Sequence, residues 1–145
     1  MSVFISYAKE DAATAQELYL ALDARGLSPW MDKPPIPHQA KGLIPGEYWR
    51  DRLEREIRQA RRVILLLSRT SIEKVGYVQR EFRTALDVMN SMPQHARFAV
   101  PLLIEECEPP NLVVGAISLA DLQWSHLNEH GMDIFVDMLS ADIAA

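Results

Sequence analysis

Tyr77 and Glu81 stand four residues apart in a segment of helical periodicity, which puts them one turn apart on one face. The apolar stripe of that segment uses Val78, Phe82, Ala85, Leu86 and Met89. The ring and the carboxylate therefore fall at its edge, where a side chain can look into a cleft. On these residues alone, a solvated glutamate between Arg80 and Arg83 outweighs a functional one, because exposed glutamates are common. His126 and His130 are also four apart, with Glu129 between them. On a helix they would share a face, as a zinc pair does. The glutamate is misplaced to act as the base of an H-E-x-x-H site, and no third ligand is in evidence. Solvated histidines near a helix start are the plainer account, and no metal is expected. His38 and His95 are loop residues with no role assigned.

Arg50, Arg52, Arg55, Arg58, Arg61 and Arg62 crowd another helical segment. Asp51, Glu54 and Glu56 are interleaved with them, and Asp51–Arg55 and Glu54–Arg58 are spaced as i, i+4 pairs. A solvated, self-paired helix face is favoured over an anion-binding stripe, with a protein contact face as the alternative.

The elements that must position these residues alternate along the chain. Val3-Phe4-Ile5 is a short apolar strand, and a helix follows from Asp11, a plausible N-cap, to about Arg25, stopped by Gly26. Leu27 to Met31 reads as a second strand. Asp32 to Glu47 holds Pro34, Pro35, Pro37 and Pro45 with Gly42 and Gly46, which excludes regular structure and leaves a long loop. A helix from about Glu47 to Arg61 carries Trp49, Leu53, Ile57 and Ala60 as its apolar stripe. Val63 to Leu67 is a continuous apolar strand, expected to be covered on both faces. The Tyr77–Asn90 helix follows. Phe98 to Ile104 is a strand that Pro101 marks as an edge or a bend. Leu119 to Trp124 reads as a fifth strand and His130 to Ile143 as a last helix. This order predicts an α/β fold: one domain over 1–145, with a five-stranded, mainly parallel sheet and helices on both faces. Ligands of such sheets sit outside the carboxyl ends of the strands.

The chain has 145 residues, 48% of them hydrophobic and 24% charged, which are globular values. A net charge of -5 provides no electrostatic footprint for nucleic acid or anionic lipid, so neither is an expected partner. Cys107 is the lone cysteine, which excludes a disulfide framework and fits a reducing cytoplasm. The longest apolar run is far short of a membrane helix, so a cytoplasmic location is expected. No P-loop, dinucleotide fingerprint or nucleophile elbow is present. The third strand ends in Ser68, where a phospho-aspartate receiver would place an aspartate.

Four segments in order resemble TIR domains. Val3-Phe4-Ile5-Ser6-Tyr7 followed by Asp11 is similar to the family's first box. Pro45-Gly46-Glu47-Tyr48-Trp49 resembles its loop exit and following helix, Val63 to Ser68 its third strand, and Val100-Pro101-Leu102-Leu103 its fourth. The long proline-rich loop then corresponds to the family's BB loop, several residues longer than usual. The resemblance implies a flavodoxin-like sheet and one of two activities. Some members are assembly adaptors in immune signalling. Others, many of them bacterial, cleave NAD+ at the nicotinamide–ribose bond, using a glutamate usually four residues after a tryptophan on the third helix. Glu81 takes the glutamate position, and Tyr77 replaces the tryptophan with another aromatic ring.

The resemblance thus implies an NAD+ glycohydrolase or cyclase with Glu81 as its essential carboxylate and NAD+ as substrate, with no cofactor. Such a carboxylate would stabilise the oxocarbenium-like ribose and bind its hydroxyls. Tyr77 would stack on a base or on nicotinamide. Tyr7, Ala8 and Lys9 after the first strand, and Asp32 and Lys33 after the second, are the nucleotide contacts implied by position. Ile36, Leu43 and Ile44 are apolar residues of the long loop, through which the family packs one TIR domain on another, so self-association is the expected partnership. A non-enzymatic module acting by homotypic assembly, including a bacterial effector of host TIR signalling, is the alternative. A nucleoside or nucleotide-sugar transferase using the same glutamate is a third reading.

Overall fold

The computed structural model describes residues 2–73, 77–93, 96–108 and 110–144, with the side chains of 77–79 and 130 outside the description. Five strands form one parallel sheet in the order β2-β1-β3-β4-β7. They are β1 (Val3–Ser6), β2 (Pro29–Trp30), β3 (Arg62–Leu67), β4 (Ala99–Leu103) and β7 (Ser125–His126). Between β4 and β7 lies an antiparallel hairpin of β5 (Val113–Val114) and β6 (Ile117–Ser118). The helices are α1 (Ala12–Ala24), α2 (Trp49–Gln59), α3 (Arg69–Glu73), α4 (Tyr77–Asn90), α5 (Leu127–His130) and α6 (Met132–Ala144).

The unbroken apolar run of β3 is explained by its central place. Val63, Leu65 and Leu67 face one core, with Leu53 and Ile57 of α2 and Phe82, Ala85 and Leu86 of α4. Ile64 and Leu66 face the other, with Leu18 and Leu22 of α1 and Phe135, Val136 and Leu139 of α6. Alternate side chains of a strand point to opposite faces, so a strand covered on both sides cannot be amphipathic.

Pro101 does not mark an edge strand: β4 pairs with β3 over Ala99–Leu103 and with β7 at Leu102 and Leu103. The Ile104 amide donates to the Leu67 carbonyl, so even-numbered amides of β4 face β3. Alternation turns position 101 toward the opposite side, where β7 pairs only from Leu102, so the missing donor breaks no bond. The fifth sheet strand is also displaced from its expected place. Leu119–Asp121 is a 3₁₀ turn, and pairing resumes only at Ser125. Asp11 precedes α1 but makes no side-chain cap, because its carboxylate accepts a 2.5 Å hydrogen bond from the Ser68 hydroxyl. Trp49 leaves the expected stripe of α2 and is 42% exposed, with the Arg50 guanidinium 5.0 Å from its ring centroid. On the same helix Glu54–Arg58 forms as expected, and Arg52–Glu56 forms where Asp51–Arg55 was expected.

The proline-rich loop is folded back on its own domain. Pro34 and Pro35 are buried, Gln39–Lys41 forms a 3₁₀ turn, and the Leu43 amide donates to the Asp32 carbonyl at 2.9 Å. Gly42 permits this approach. A Cβ there would lie 2.4 Å from the Asp32 carbonyl oxygen, 2.5 Å from Pro34 Cδ and 2.8 Å from the Met31 carbonyl oxygen. Two of those atoms are backbone and cannot rotate away. Gly42→Ala should therefore destabilise the domain by about 1–3 kcal/mol, the usual range for overpacking. Urea denaturation with an unchanged midpoint would show that the loop is free to shift.

Candidate functional site

Strand β1 connects outward to β2 on one side, and the chain then returns to β3 on the other, so the sheet's topology switches direction around β1. At such a point the loops leaving the carboxyl ends of the strands diverge and leave a crevice. Tyr7 follows β1, Asp32 follows β2, and α4 begins after β3 at this same end of the sheet. Glu81, in the second turn of α4, is brought to the crevice in this way.

The Tyr7 hydroxyl donates to Asp32 Oδ1 at 2.5 Å, and the Lys33 amide donates to the same oxygen at 2.9 Å. Burial pushes the Tyr7 phenol well above its ordinary value of 10, assisted by the Asp32 hydrogen bond, the Asp32 charge and the Glu81 charge. Glu81 is therefore in electrostatic reach of Tyr7. An unfolded tyrosine ionises near 10 and this one only above it. The stabilisation from Tyr7 is complete below pH 10 and is lost as pH rises toward the folded value. Tyr7→Phe should accordingly remove a tyrosine that ionises late in an alkaline absorbance titration. The stability gap between wild type and variant should narrow above pH 10. Loss of an early-titrating tyrosine in the variant would show that the Tyr7–Asp32 pair is open to solvent.

Glu81 is 6% exposed and so is not the solvated glutamate that spacing alone favours. It lines a groove of about 280 Å³ between α2 and α4, with Trp49, Arg50, Leu53, Arg80 and Thr84. Two buried polar atoms without a hydrogen-bond partner, Ser6 Oγ and Trp30 Nε1, belong to the strands beneath. Trp30 stacks on Phe4 with ring centroids 5.2 Å apart, and the Arg52 guanidinium lies over the Trp30 ring, 5.4 Å from its centroid. Arg52 is held there by Glu47 and Glu56 at 2.8 and 2.9 Å. The Ile44 amide also donates to Glu47, and that bond, followed by those from Arg52, holds the Glu47 carboxyl below its usual range.

The other expected site residues divide clearly. Lys9 and Lys33 are exposed at the same sheet end. The Ala8 side chain is fully buried in the core with Phe4 and Phe82, which leaves only its backbone to meet a ligand. Ile36 and Ile44 are 79% and 49% exposed, whereas Leu43 is only partly buried surface and packs against the core. The Tyr77 side chain lies outside the described residues, as do His95 and the His130 side chain, so the expected stacking ring and the His126–His130 pair are not placed. His126 ends β7 and is also the N-cap residue of α5, which runs to His130, so the expected helix start is present. Sequence reasoning missed Trp49 and Arg50 as groove residues. Their signal was an aromatic and a cation adjacent at a helix start, which helical periodicity assigned to core and surface.

The fold is a parallel α/β sheet whose topology switches at β1, and Glu81 is buried on α4, which packs against β1. The family model described as TIR domain matches residues 3–138. The chain belongs to the TIR domain family. Among solved structures it is similar to the TIR domains in the structure of the activated Roq1 resistosome directly recognizing the pathogen effector XopQ. The TM-score is 0.58 at 21% identity, over 72% of this chain and 57% of that one. The chain thus spans little more than half of that relative's length. No curated protein matches the sequence. No described helix is long and apolar enough to cross a membrane.

Proposed function

We propose that this TIR domain cleaves NAD+ at the nicotinamide–ribose bond, with Glu81 as the essential carboxylate. The observation that carries this reading is a glutamate buried to 6% exposure that lines a groove and whose charge reaches Tyr7 at the sheet's switch point. A buried carboxylate is costly unless its charge is used or compensated. In the reaction, the C1′–N bond breaks and its electron pair returns to the nicotinamide nitrogen, which becomes neutral. The ribose is left as an oxocarbenium-like centre, which the carboxylate stabilises. Water then adds at C1′ and loses a proton to give ADP-ribose. A hydroxyl or ring nitrogen of the same molecule would give a cyclic product instead. Nicotinamide leaves as a neutral molecule, so no strong general acid is required. Lys9, Lys33 and Arg80 supply positive charge for the pyrophosphate at the rim.

The groove volume supports assembly as part of this function. About 280 Å³ lies below the ~300–1,000 Å³ of typical small-molecule sites. A nicotinamide riboside half fits such a space, and the rest of a dinucleotide would overhang it. A second copy could cover that remainder. Ile36, Ile44 and Tyr48 are exposed apolar residues of the loop, and Trp49, next in the chain, is exposed at the groove. The similarity to TIR domains of a resistosome agrees with a domain that works in an assembly. A role in bacterial defence signalling follows from this reading. The purified domain incubated with NAD+ and analysed by chromatography should release nicotinamide. Self-association without release would favour a non-enzymatic interaction module.

A further inference from the structure

At the β7 edge of the sheet, three potential ligands from three segments converge. Glu106 lies in the loop leaving β4, His126 ends β7, and Glu129 is in the first turn of α5. One ligand atom from each lies within 4.8 Å of the other two, and this is the grouping of its kind among the described residues. His126 Nδ1 is buried and makes no hydrogen bond. Its approach to Glu129 Oε1 is 3.8 Å, too long for a hydrogen bond.

We propose that His126, Glu129 and Glu106 form a divalent metal site, for zinc in preference to magnesium. A zinc ion stands about 2.1 Å from nitrogen and carboxylate ligands, so tetrahedral ligands are about 3.4 Å apart and none exceeds about 4.2 Å. The 3.8 Å gap between His126 and Glu129 already falls within that span. Closing the remainder needs less than an ångström at Glu106, which is exposed and can change rotamer. The loop backbone is held in place meanwhile: Arg69 Nε donates to the Glu106 carbonyl at 3.2 Å, and the Arg69 amide donates to Glu105 at 2.7 Å. One imidazole with two carboxylates suits zinc or manganese, whereas magnesium keeps oxygen ligands and most of its water. The exposed carboxylates leave an entry path from solvent, and three protein ligands leave a fourth position for water. Bound metal would tie the β4 exit loop to the β7–α5 junction. This site is separate from the nucleotide reading and does not depend on it.

Titration calorimetry with zinc chloride on the metal-free domain should show saturable binding of one ion, and thermal melting should rise with zinc. Cobalt(II) should give the visible absorption of a four-coordinate site. Glu129→Gln and Glu106→Gln alter exposed side chains and should fold normally, as circular dichroism would show. Each should weaken zinc binding by about tenfold or more, since even residues that only orient a metal ligand cost about 10–100-fold. His126→Ala should abolish saturable binding. Unchanged affinity in both glutamine variants would overturn the site. So would binding that survives His126→Ala and disappears in a His38→Ala/His95→Ala double variant.

Discussion

Glu81→Gln should lower nicotinamide release from NAD+ by about 10²-fold or more, the scale of a lost electrostatic stabiliser in a water-poor site. The substitution keeps size and shape and removes only the charge. Because Glu81 is 6% exposed and packed between α2 and α4, it is the right replacement: alanine would leave a void beside Phe82 and confuse packing with catalysis. The variant should melt as a folded domain. Removing a buried negative charge also relieves the Tyr7 phenol of one of the influences that hold it protonated, so Tyr7 should ionise earlier in the variant. That shift provides a readout of Glu81's position independent of turnover. Near-normal turnover in a folded variant would remove Glu81 from the chemistry. A fall in turnover together with the Tyr7 shift would place the lost charge at the crevice.

The second large effect concerns the loop. On the proposed function, a neighbouring copy covers the part of the dinucleotide that overhangs the groove, and specific activity of the wild-type domain should rise with protein concentration. Such a contact joins unlike surfaces and need not close, so it can continue into a filament. Ile36→Ser/Ile44→Ser should abolish the rise while leaving the monomer folded, since these side chains are 79% and 49% exposed. Leu43 is unsuitable for the purpose, although it sits beside Ile44. It packs against the core, and its amide bonds to Asp32, so a polar residue there would disturb the fold itself. Activity that stays flat from nanomolar to high micromolar protein would show a self-sufficient groove, and the assembly requirement would be wrong.

Much of the architecture was legible in local pattern. The continuous apolar run of β3, the boundaries of α4 and the glycine stop after α1 follow from periodicity and backbone chemistry that act within a few residues. Short elements were less legible. The β5–β6 hairpin and α3 hold only a few residues each, too few for a period to emerge, and β7 was displaced because Leu119 is buried in a 3₁₀ turn rather than a strand. Trp49 was misplaced because helical spacing assigns a residue to a stripe and says nothing of how much of that stripe the rest of the fold covers.

The sequence by itself determined the parallel α/β order, which depends on chain connectivity. Glu81 became the residue to question through the resemblance to TIR domains, since spacing along its helix alone favoured a solvated side chain. Tertiary structure decided what that glutamate experiences. Its burial, its groove and its action on a tyrosine 74 positions earlier depend on α4 packing across β1, which no local window contains. The same holds for the loop, where Gly42 closing on Asp32 packs Leu43 against the core and leaves Ile36 and Ile44 exposed. It holds again for Glu106 and His126, twenty residues apart and joined only because β4 and β7 lie side by side in the sheet. Pairing across a sheet sets distances that sequence separation leaves open.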